Sequence, residues 1–204
     1  MNIIHTTFQY IQPLIPLKLD KTKFIVVHHI DADTATPEDI HQWHLGFGWA
    51  GFGYNEYIRK DGTVYIGRGD NIGAQCQGFN SCSYGIALEG NFDTTGHVPD
   101  AQWQALLARI QFHLARFPKN CVVVPHRELV DTSCPGQLFP FSQLLSAINA
   151  PSDTFKSVLN TLVNEGIINS PGYWTQAENT GSLLKGEYVK ILLTNMAKFI
   201  NQHK

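Results

Sequence analysis

The stretch FIVVHHIDADTATPEDIHQWHLGFG (24–48) contains a buried strand followed by a capped helix. Its first part, Phe24–Val27, is a continuous apolar run rich in β-branched residues, which is typical of a strand covered on both faces of a sheet. Thr36 is a favourable N-cap, and it is followed by Pro37 and, three residues on, by an acid that can complete a capping box. We therefore expect a helix that begins at Pro37 and stops at Gly48.

Strand and helix patterns alternate after this stretch. Asp61-Gly62 is a strong turn signal between two β-branched and aromatic runs and predicts a hairpin. Apolar residues at helical spacing predict a longer helix further on. The predicted elements are an irregular lead-in at 1–22, a hairpin at 57–66, a strand at 83–90, a helix at 99–117 and a strand at 121–124. This order predicts an α/β fold with a mixed central β-sheet flanked by helices.

The composition changes after Ala150, so we divide the chain into a domain at 1–150 and an appendage at 151–204. Helical patterns at 154–165 and 182–202 flank a turn-rich segment and predict a small C-terminal helical hairpin. A hairpin of this size is marginal by itself, so we expect it to pack on the main domain. The alternatives are a targeting element or an oligomerisation surface, either of which would expose Tyr173, Trp174 and Phe199.

The composition of the 204 residues excludes several classes of protein. The chain is 43% hydrophobic and 16% charged, which is a globular and not a disordered composition. A net charge of -2 lacks the basic surplus of a nucleic-acid binder. No apolar run reaches the length of a transmembrane segment, and the N-terminus lacks the basic region of a signal peptide. We expect synthesis in the cytoplasm without a signal peptide.

Four cysteines, at 76, 82, 121 and 134, are too few for a disulfide scaffold in a chain of this length. Buried thiols, metal ligands or nucleophiles are the alternatives in a reducing compartment. Cys76 and Cys82 are near enough in sequence to pair on oxidation, and the sequence leaves that pairing open.

Histidine and cysteine residues follow two of the predicted strands, where open α/β sheets commonly build their sites. His28 and His29 end the first strand and point to opposite faces, so only one of them can serve a given site. His126 follows the last strand, and Cys134 lies eight residues later. Two imidazoles and one thiolate suit Zn²⁺ and leave a fourth position for water, as in catalytic zinc sites. Hydrogen-bonded histidines and a buried thiol are the alternative.

Two hydroxyl-bearing residues, Tyr54 and Thr132, are candidates to donate a hydrogen bond to a developing oxyanion beside such a zinc site. Their alternatives are a core aromatic and a loop-stabilising hydroxyl.

Four ordered motifs resemble the zinc-dependent N-acetylmuramoyl-L-alanine amidases of type 2, a family that includes phage lysozymes, bacterial autolysins and animal peptidoglycan-recognition proteins. The motifs are VVHH (26–29), GFGYNEYIRKDGTVYIGRG (51–69), GAQCQGFNSCSYGIALEGNF (73–92) and PHRELVDTSCPG (125–136). The resemblance covers about residues 20–148. It implies the amidase and peptidoglycan-recognition fold.

The resemblance also implies one Zn²⁺ held by His28, His126 and Cys134, with His29 structural. Tyr54 matches the catalytic tyrosine of the family, and Thr132 matches a position occupied by lysine or threonine. The implied reaction is hydrolysis, by zinc-activated water, of the amide bond between N-acetylmuramic acid and L-alanine. The resemblance thus implies that the chain is a hydrolase that degrades bacterial cell wall.

Two positions depart from the family pattern. Gln75 stands where members often carry histidine, and this departure affects the region near the substrate groove. Ala87 stands where cytoplasmic members carry a catalytic glutamate. Glu89 points to the same face two residues on, but we do not predict that it is a base.

The substrate is a sugar–peptide strand, which requires a long groove. Its candidate lining residues, each with ordinary packing as the alternative, are Trp49, Phe52, Arg68 and Asn80. Together with the lack of a signal peptide, the resemblance favours a phage or prophage endolysin, a bacteriolytic enzyme that acts on the wall after release. A non-catalytic peptidoglycan-binding module is the alternative. The sequence leaves the oligomeric state and the general acid or base open.

Overall fold

A computed structural model describes residues 2–149, 159, 162–169, 172–174, 176 and 186–202. The chain divides into two compact units, Met1–Ile148 and Asn149–Lys204. This division falls close to the predicted boundary at residue 150.

The first unit is built on a six-stranded mixed sheet. Its strands are β1 (Ile3–His5), β2 (Phe24–His29), β3 (Glu56–Ile58), β4 (Val64–Ile66), β5 (Ser83–Leu88) and β6 (Val122–Pro125). They lie in the order β1-β4-β3-β5-β2-β6. The pair β3–β4 is antiparallel and the other four pairs are parallel. The apolar run of β2 is buried between β5 and β6, as its composition predicts.

Three helices accompany this sheet: α1 (Pro37–Gly46), α2 (Asp100–Leu114) and α3 (Phe141–Asn149). The predicted capping box at the start of α1 is present: the Thr36 hydroxyl accepts the Asp39 amide N–H, and the Asp39 carboxylate accepts the Thr36 amide N–H. The buried residues Leu106 and Ile110 of α2 belong to the main apolar core together with Ile25, Ile86 and Leu88 of the sheet. The mixed sheet and its helices confirm the predicted fold class.

Two elements differ from the sequence-based prediction. The lead-in at 1–22, predicted to be irregular, contains the edge strand β1, which pairs with β4 through Ile3–His5. Its three residues are all exposed, so no buried face marks the strand in the sequence. Helix α3 lies between the last motif and the domain boundary, and its Phe141 and Leu144 are buried in the main core.

The second unit contains α4 (Gly186–Gln202), which matches the later helical pattern. In the predicted helix at 154–165, residues 159 and 162–164 are helical, and 154–158, 160 and 161 lie outside the described residues. The unit has an apolar cluster of its own, in which Trp174 is buried and the tilted rings of Tyr173 and Tyr188 lie 4.3 Å apart between centroids. The side chain of Phe199 lies outside what the structure describes. Among the described helices, none is long and apolar enough to cross a membrane.

Candidate metal centre and cleft

The carboxyl ends of two adjacent parallel strands place the candidate metal ligands. His28 is near the end of β2, beside Ala87 of β5. His126 directly follows β6 and opens a short 3-10 turn. The loop that carries Cys134 returns to this turn, because the Arg127 amide donates to the Cys134 carbonyl at 2.9 Å. The ends of two parallel strands and a returning loop therefore bring together, at this edge of the sheet, residues that are far apart in sequence.

Ligand atoms of His28, His126 and Cys134 all lie within 4.8 Å of one another. The Cys134 sulfur is 3.5 Å from Nδ1 of His28, and the rings of His28 and His126 are 4.4 Å apart between centroids. Both ring nitrogens of His126 are buried and have no hydrogen-bond partner within the part of the chain that the structure describes. Buried polar atoms are rarely left in this state, so the arrangement fits a bound cation.

The electrostatics of the cluster also fit a metal. Burial lowers the pKa of His126 to about 4. Burial is the main cause that holds the pKa of His28 well below its ordinary value, and the neighbouring His126 lowers it further. Both rings are therefore neutral at pH 7 and offer lone pairs. Burial raises the pKa of the Cys134 thiol to about 12, so a thiolate requires a cation beside it, which zinc provides by coordination.

A second cluster behind this site does not fit a metal. Ligand atoms of His29, Asp31 and Asp93 also lie within 4.8 Å of one another. However, Nδ1 of His29 accepts the amide N–H of Phe92 at 3.1 Å. In the neutral ring the remaining nitrogen, Nε2, must then carry the hydrogen and cannot coordinate a cation. Asp93 instead holds the loop of Cys134 through Ser133, whose hydroxyl donates to its carboxylate at 3.0 Å.

Tyr54, in the loop that precedes β3, lies beside the candidate metal ligands. Its ring centroid lies 5.2 Å from that of His28. Burial is the main cause that raises the pKa of the Tyr54 hydroxyl far above its ordinary range, and the nearby Cys134 raises it further. The phenol therefore keeps its hydrogen at neutral pH and serves as a hydrogen-bond donor.

Thr132 lies two residues before Cys134 and shares its loop. Its hydroxyl oxygen accepts the Cys134 amide N–H at 3.3 Å, so the hydroxyl hydrogen is left to donate elsewhere. The same residue lines a cleft of about 710 Å³ together with His126. Thr132 therefore lines the cleft and contacts the backbone of the candidate ligand Cys134.

Two of the four predicted groove residues line this cleft, namely Trp49 and Asn80. Trp49 is 42% exposed, which leaves its ring available to a ligand. The carbonyl oxygen of the Asn80 side chain accepts the amides of Gln75 and Cys76, at 2.9 and 2.8 Å, and so holds the cleft wall.

The structure corrects the expectation that Phe52 and Arg68 line the groove. Phe52 is 0% exposed and belongs to a second apolar core cluster. The Arg68 guanidinium donates to the backbone carbonyls of Phe52 and Ile72, at 2.7 and 3.0 Å. Both side chains therefore hold the segment around Tyr54 in place.

Ala87 of β5 and Glu89, which directly follows this strand, occupy the region where some family members carry a catalytic glutamate. Ala87 is in register with His28, so no carboxylate reaches the cluster from that position. The Glu89 carboxylate is buried and accepts hydrogen bonds from Thr34, Ala35, Arg59 and Lys60. It connects the chain after β2 to the β3–β4 hairpin, and these contacts account for its place in the fold.

Sequence reasoning missed two histidines that position the Tyr54 loop. Nδ1 of His41 accepts the amide N–H of Phe52 at 3.0 Å, and Nδ1 of His44 accepts that of Gly53 at 2.9 Å. Their spacing, with both on the buried face of α1, is the signal that could have identified them. The four cysteines, Cys76 and Cys82 included, are free thiols.

Comparisons with known proteins agree with this geometry. Residues 18–137 match the family described as N-acetylmuramoyl-L-alanine amidase. An endolysin of Klebsiella phage KP32 is 35% identical over 128 residues, 58% of this chain and 83% of the relative. Peptidoglycan-recognition protein SC2 of Drosophila melanogaster is 32% identical over 125 residues, 55% of this chain and 67% of the relative.

The solved structure of the N-acetylmuramoyl-L-alanine amidase LysC from Clostridium intestinale URNW is also similar. It has a TM-score of 0.66 and 32% sequence identity, and the match covers 73% of this chain and 98% of that one. These similarities confirm the resemblance drawn from the four motifs.

Proposed function

Because the chain belongs to the N-acetylmuramoyl-L-alanine amidase family, we propose that it uses one Zn²⁺ to hydrolyse the amide between N-acetylmuramic acid and L-alanine. The substrate is bacterial peptidoglycan, and the protein acts as an endolysin of phage or prophage origin, reaching the wall after release from the cytoplasm. The similarity to phage endolysins supports this role. We assign the activity to residues 1–150 and treat 151–204 as an appendage.

The observation that carries the proposal is the cluster of His28, His126 and Cys134, in which both ring nitrogens of His126 are buried without a partner among the described residues. Two imidazoles and a thiolate match the donor set of a catalytic zinc site with one open coordination position. Bound there, zinc would supply Lewis-acid chemistry, making a water molecule more acidic and polarising the scissile carbonyl.

The side chains around the cluster complete the chemistry. Tyr54 keeps its hydroxyl hydrogen at neutral pH and donates it to the oxyanion that forms as the amide carbonyl is attacked. Thr132 is the second donor in this proposal, since its hydroxyl oxygen accepts the Cys134 amide N–H and its hydrogen is left to donate. Negative charge develops on the oxygen that both donors contact, so their hydrogen bonds strengthen transition-state binding more than ground-state binding.

The cleft beside the cluster binds the substrate in this proposal. Trp49 offers an exposed aromatic ring to a sugar, and Asn80 holds the cleft-lining segment through the Gln75 amide. The cleft of about 710 Å³ is lined by the candidate ligand His126, which supports a position of the sugar–peptide junction near that residue in this proposal.

Mass spectrometry of purified peptidoglycan, incubated with zinc-loaded protein, tests the reaction. The expected products are stem peptides with a free N-terminal alanine, absent with a Cys134→Ser variant because the sulfur ligand is lost. A Cys121→Ser variant is the matched control, since Cys121 is a free thiol in the main core, and it should release the same peptides. Intact glycan–peptide linkages with parent protein bound to the wall would instead identify a non-catalytic peptidoglycan-binding module. Equal cleavage by Cys134→Ser would refute the thiolate ligand.

A further inference from the structure

The side chain of Gln75 contacts His28 on the ring edge opposite Cys134. Oε1 of Gln75 lies 2.5 Å from Nε2 of His28, and both side chains are buried. In this orientation of the amide, the Gln75 side-chain nitrogen donates to the Ser83 hydroxyl at 2.7 Å. Since an amide oxygen only accepts hydrogen bonds, Nε2 of His28 must carry the hydrogen.

This contact determines where the lone pair of His28 lies. A neutral imidazole has one protonated nitrogen, so hydrogen on Nε2 leaves the lone pair on Nδ1. Nδ1 is the nitrogen that lies 3.5 Å from the sulfur of Cys134. The lone pair of His28 therefore points at the candidate metal position, and the acceptor that enforces this is the Gln75 carbonyl oxygen.

Neighbouring residues hold both the backbone and the side chain of Gln75. Its backbone N–H donates to Asn80. A Cβ atom at Gly85 would lie 2.7 Å from Cγ and Cδ of Gln75, and one at Gly73 would lie 2.9 Å from Cγ. Two glycines thus provide the space that the Gln75 side chain fills, although Gln75 also lines the cleft.

We propose that Gln75 is a positioning residue that holds His28 in the Nε2–H tautomer and thereby raises zinc affinity. The inference rests on the proposed zinc site. It assigns a role to a side chain that the sequence connected only with the substrate groove. Hydrogen-bond partners of this kind typically change metal affinity by about 10- to 100-fold.

Three variants separate the acceptor from the volume of the side chain. Gln75→Met keeps the length and removes the acceptor, Gln75→Glu keeps an acceptor, and Gln111→Met makes the first change at an exposed position of α2. Zinc affinity is measured by competition with a chromophoric chelator. We expect affinity about 10- to 100-fold weaker in Gln75→Met, and unchanged or tighter in Gln75→Glu. Gln111→Met should match the parent.

The tautomer is measured directly in metal-free protein by two-bond ¹H–¹⁵N NMR of labelled histidine. The parent and Gln75→Glu should show His28 with hydrogen on Nε2, and Gln75→Met should show a mixture. Hydrogen on Nδ1 in the parent would overturn the proposal even if Gln75→Met fails to fold. Equal zinc affinity in Gln75→Met and the parent, or equal loss in Gln75→Met and Gln75→Glu, would also overturn it. Absence of zinc binding by the parent, with the Nε2–H tautomer present, would refute the zinc site and the affinity role but leave the tautomer assignment standing.

Discussion

The buried carboxylate of Glu56 predicts a large, pH-dependent cost for the substitution Arg109→Met. Glu56 is 0% exposed, and its carboxylate accepts from Arg109 Nε and Nη2 at 2.8 and 2.5 Å. Nε2 of His113 lies 2.7 Å away, and the Tyr84 hydroxyl donates at 3.0 Å. Burial opposes ionisation, but the hydrogen bonds from Arg109 and His113 outweigh it and lower the pKa of Glu56 to about 2.

The size of the effect follows from that pKa. A change from the ordinary 4.5 to about 2 corresponds to about 3 kcal/mol of stabilisation at pH 7. Removing one partner of a buried ion pair typically costs about 3–5 kcal/mol, because the other charge is left without compensation. For a chain of this length, that lowers the melting temperature by about 6–20 °C.

The pH dependence has a defined sign. Because the pKa of the folded carboxyl is lowered, its stabilisation is complete above pH 4.5 and is lost as the pH falls towards 2. The melting temperatures of the parent and Arg109→Met should therefore differ most at pH 7 and by clearly less at pH 3, and they should converge only as the pH approaches 2.

Thermal unfolding followed by circular dichroism at pH 7 and at pH 3 measures both effects. Arg116→Met is the control: Arg116 also lies over the Phe112 ring, but it pairs with the half-exposed Asp70, and its only contact with the partners of Glu56 among the described residues is a long one, 3.4 Å from Nη1 to Nδ1 of His113. An exposed pair contributes at most about 1 kcal/mol, so the control should melt within about 4 °C of the parent. An Arg109→Met protein as stable as the control at pH 7, or one whose deficit is the same at both pH values, would refute the reasoning.

Three further outcomes follow from the site. Tyr54→Phe should lower kcat about 100- to 1000-fold, since it removes an oxyanion donor, while zinc content measured by atomic absorption stays at the parent value; an unchanged kcat would contradict the assignment. Trp49→Ala should raise KM for peptidoglycan fragments about tenfold and leave kcat nearly constant, because stacking on a sugar ring acts before and during the reaction alike; a selective loss of kcat would argue against it. Burial, assisted by the charge of Arg68, lowers the pKa of His44 to about 4, so the stabilisation from its neutral ring is complete above about pH 6.5 and is lost as the pH falls towards 4. Urea denaturation should therefore show His44→Ala to be destabilised more at pH 7.5 than at pH 4.5, and a constant difference would count against the neutral ring.

Much of the fold follows from local patterns in the sequence. The apolar run of β2, the capping box of α1 and the Asp61-Gly62 turn each involve residues close together in the chain, so the sequence reports them directly. The edge strand β1 was missed for the opposite reason. Its residues are exposed, and its extended state depends on pairing with β4, about sixty residues later.

The side chains predicted to line the groove show that residue type alone does not distinguish a groove residue from a core residue. As residue types, the arginine and the phenylalanine of the motif at 51–69 suit a groove wall and a core equally well. Packing decides between them: Phe52 fills a core cluster, and Arg68 satisfies two buried carbonyls. Trp49, which precedes that motif by two residues, is 42% exposed and lines the cleft.

The sequence by itself determined which elements form and which residue types are available for zinc chemistry, because helix and strand periodicity and donor chemistry are local properties. Only the tertiary structure decided how those residues meet. Cys134 approaches His28 across 106 positions of chain, and Gln75 reaches the same ring across 47. Such contacts depend on strand order, on loop closure and on space left by Gly85, and no periodicity in the sequence encodes the direction of a lone pair.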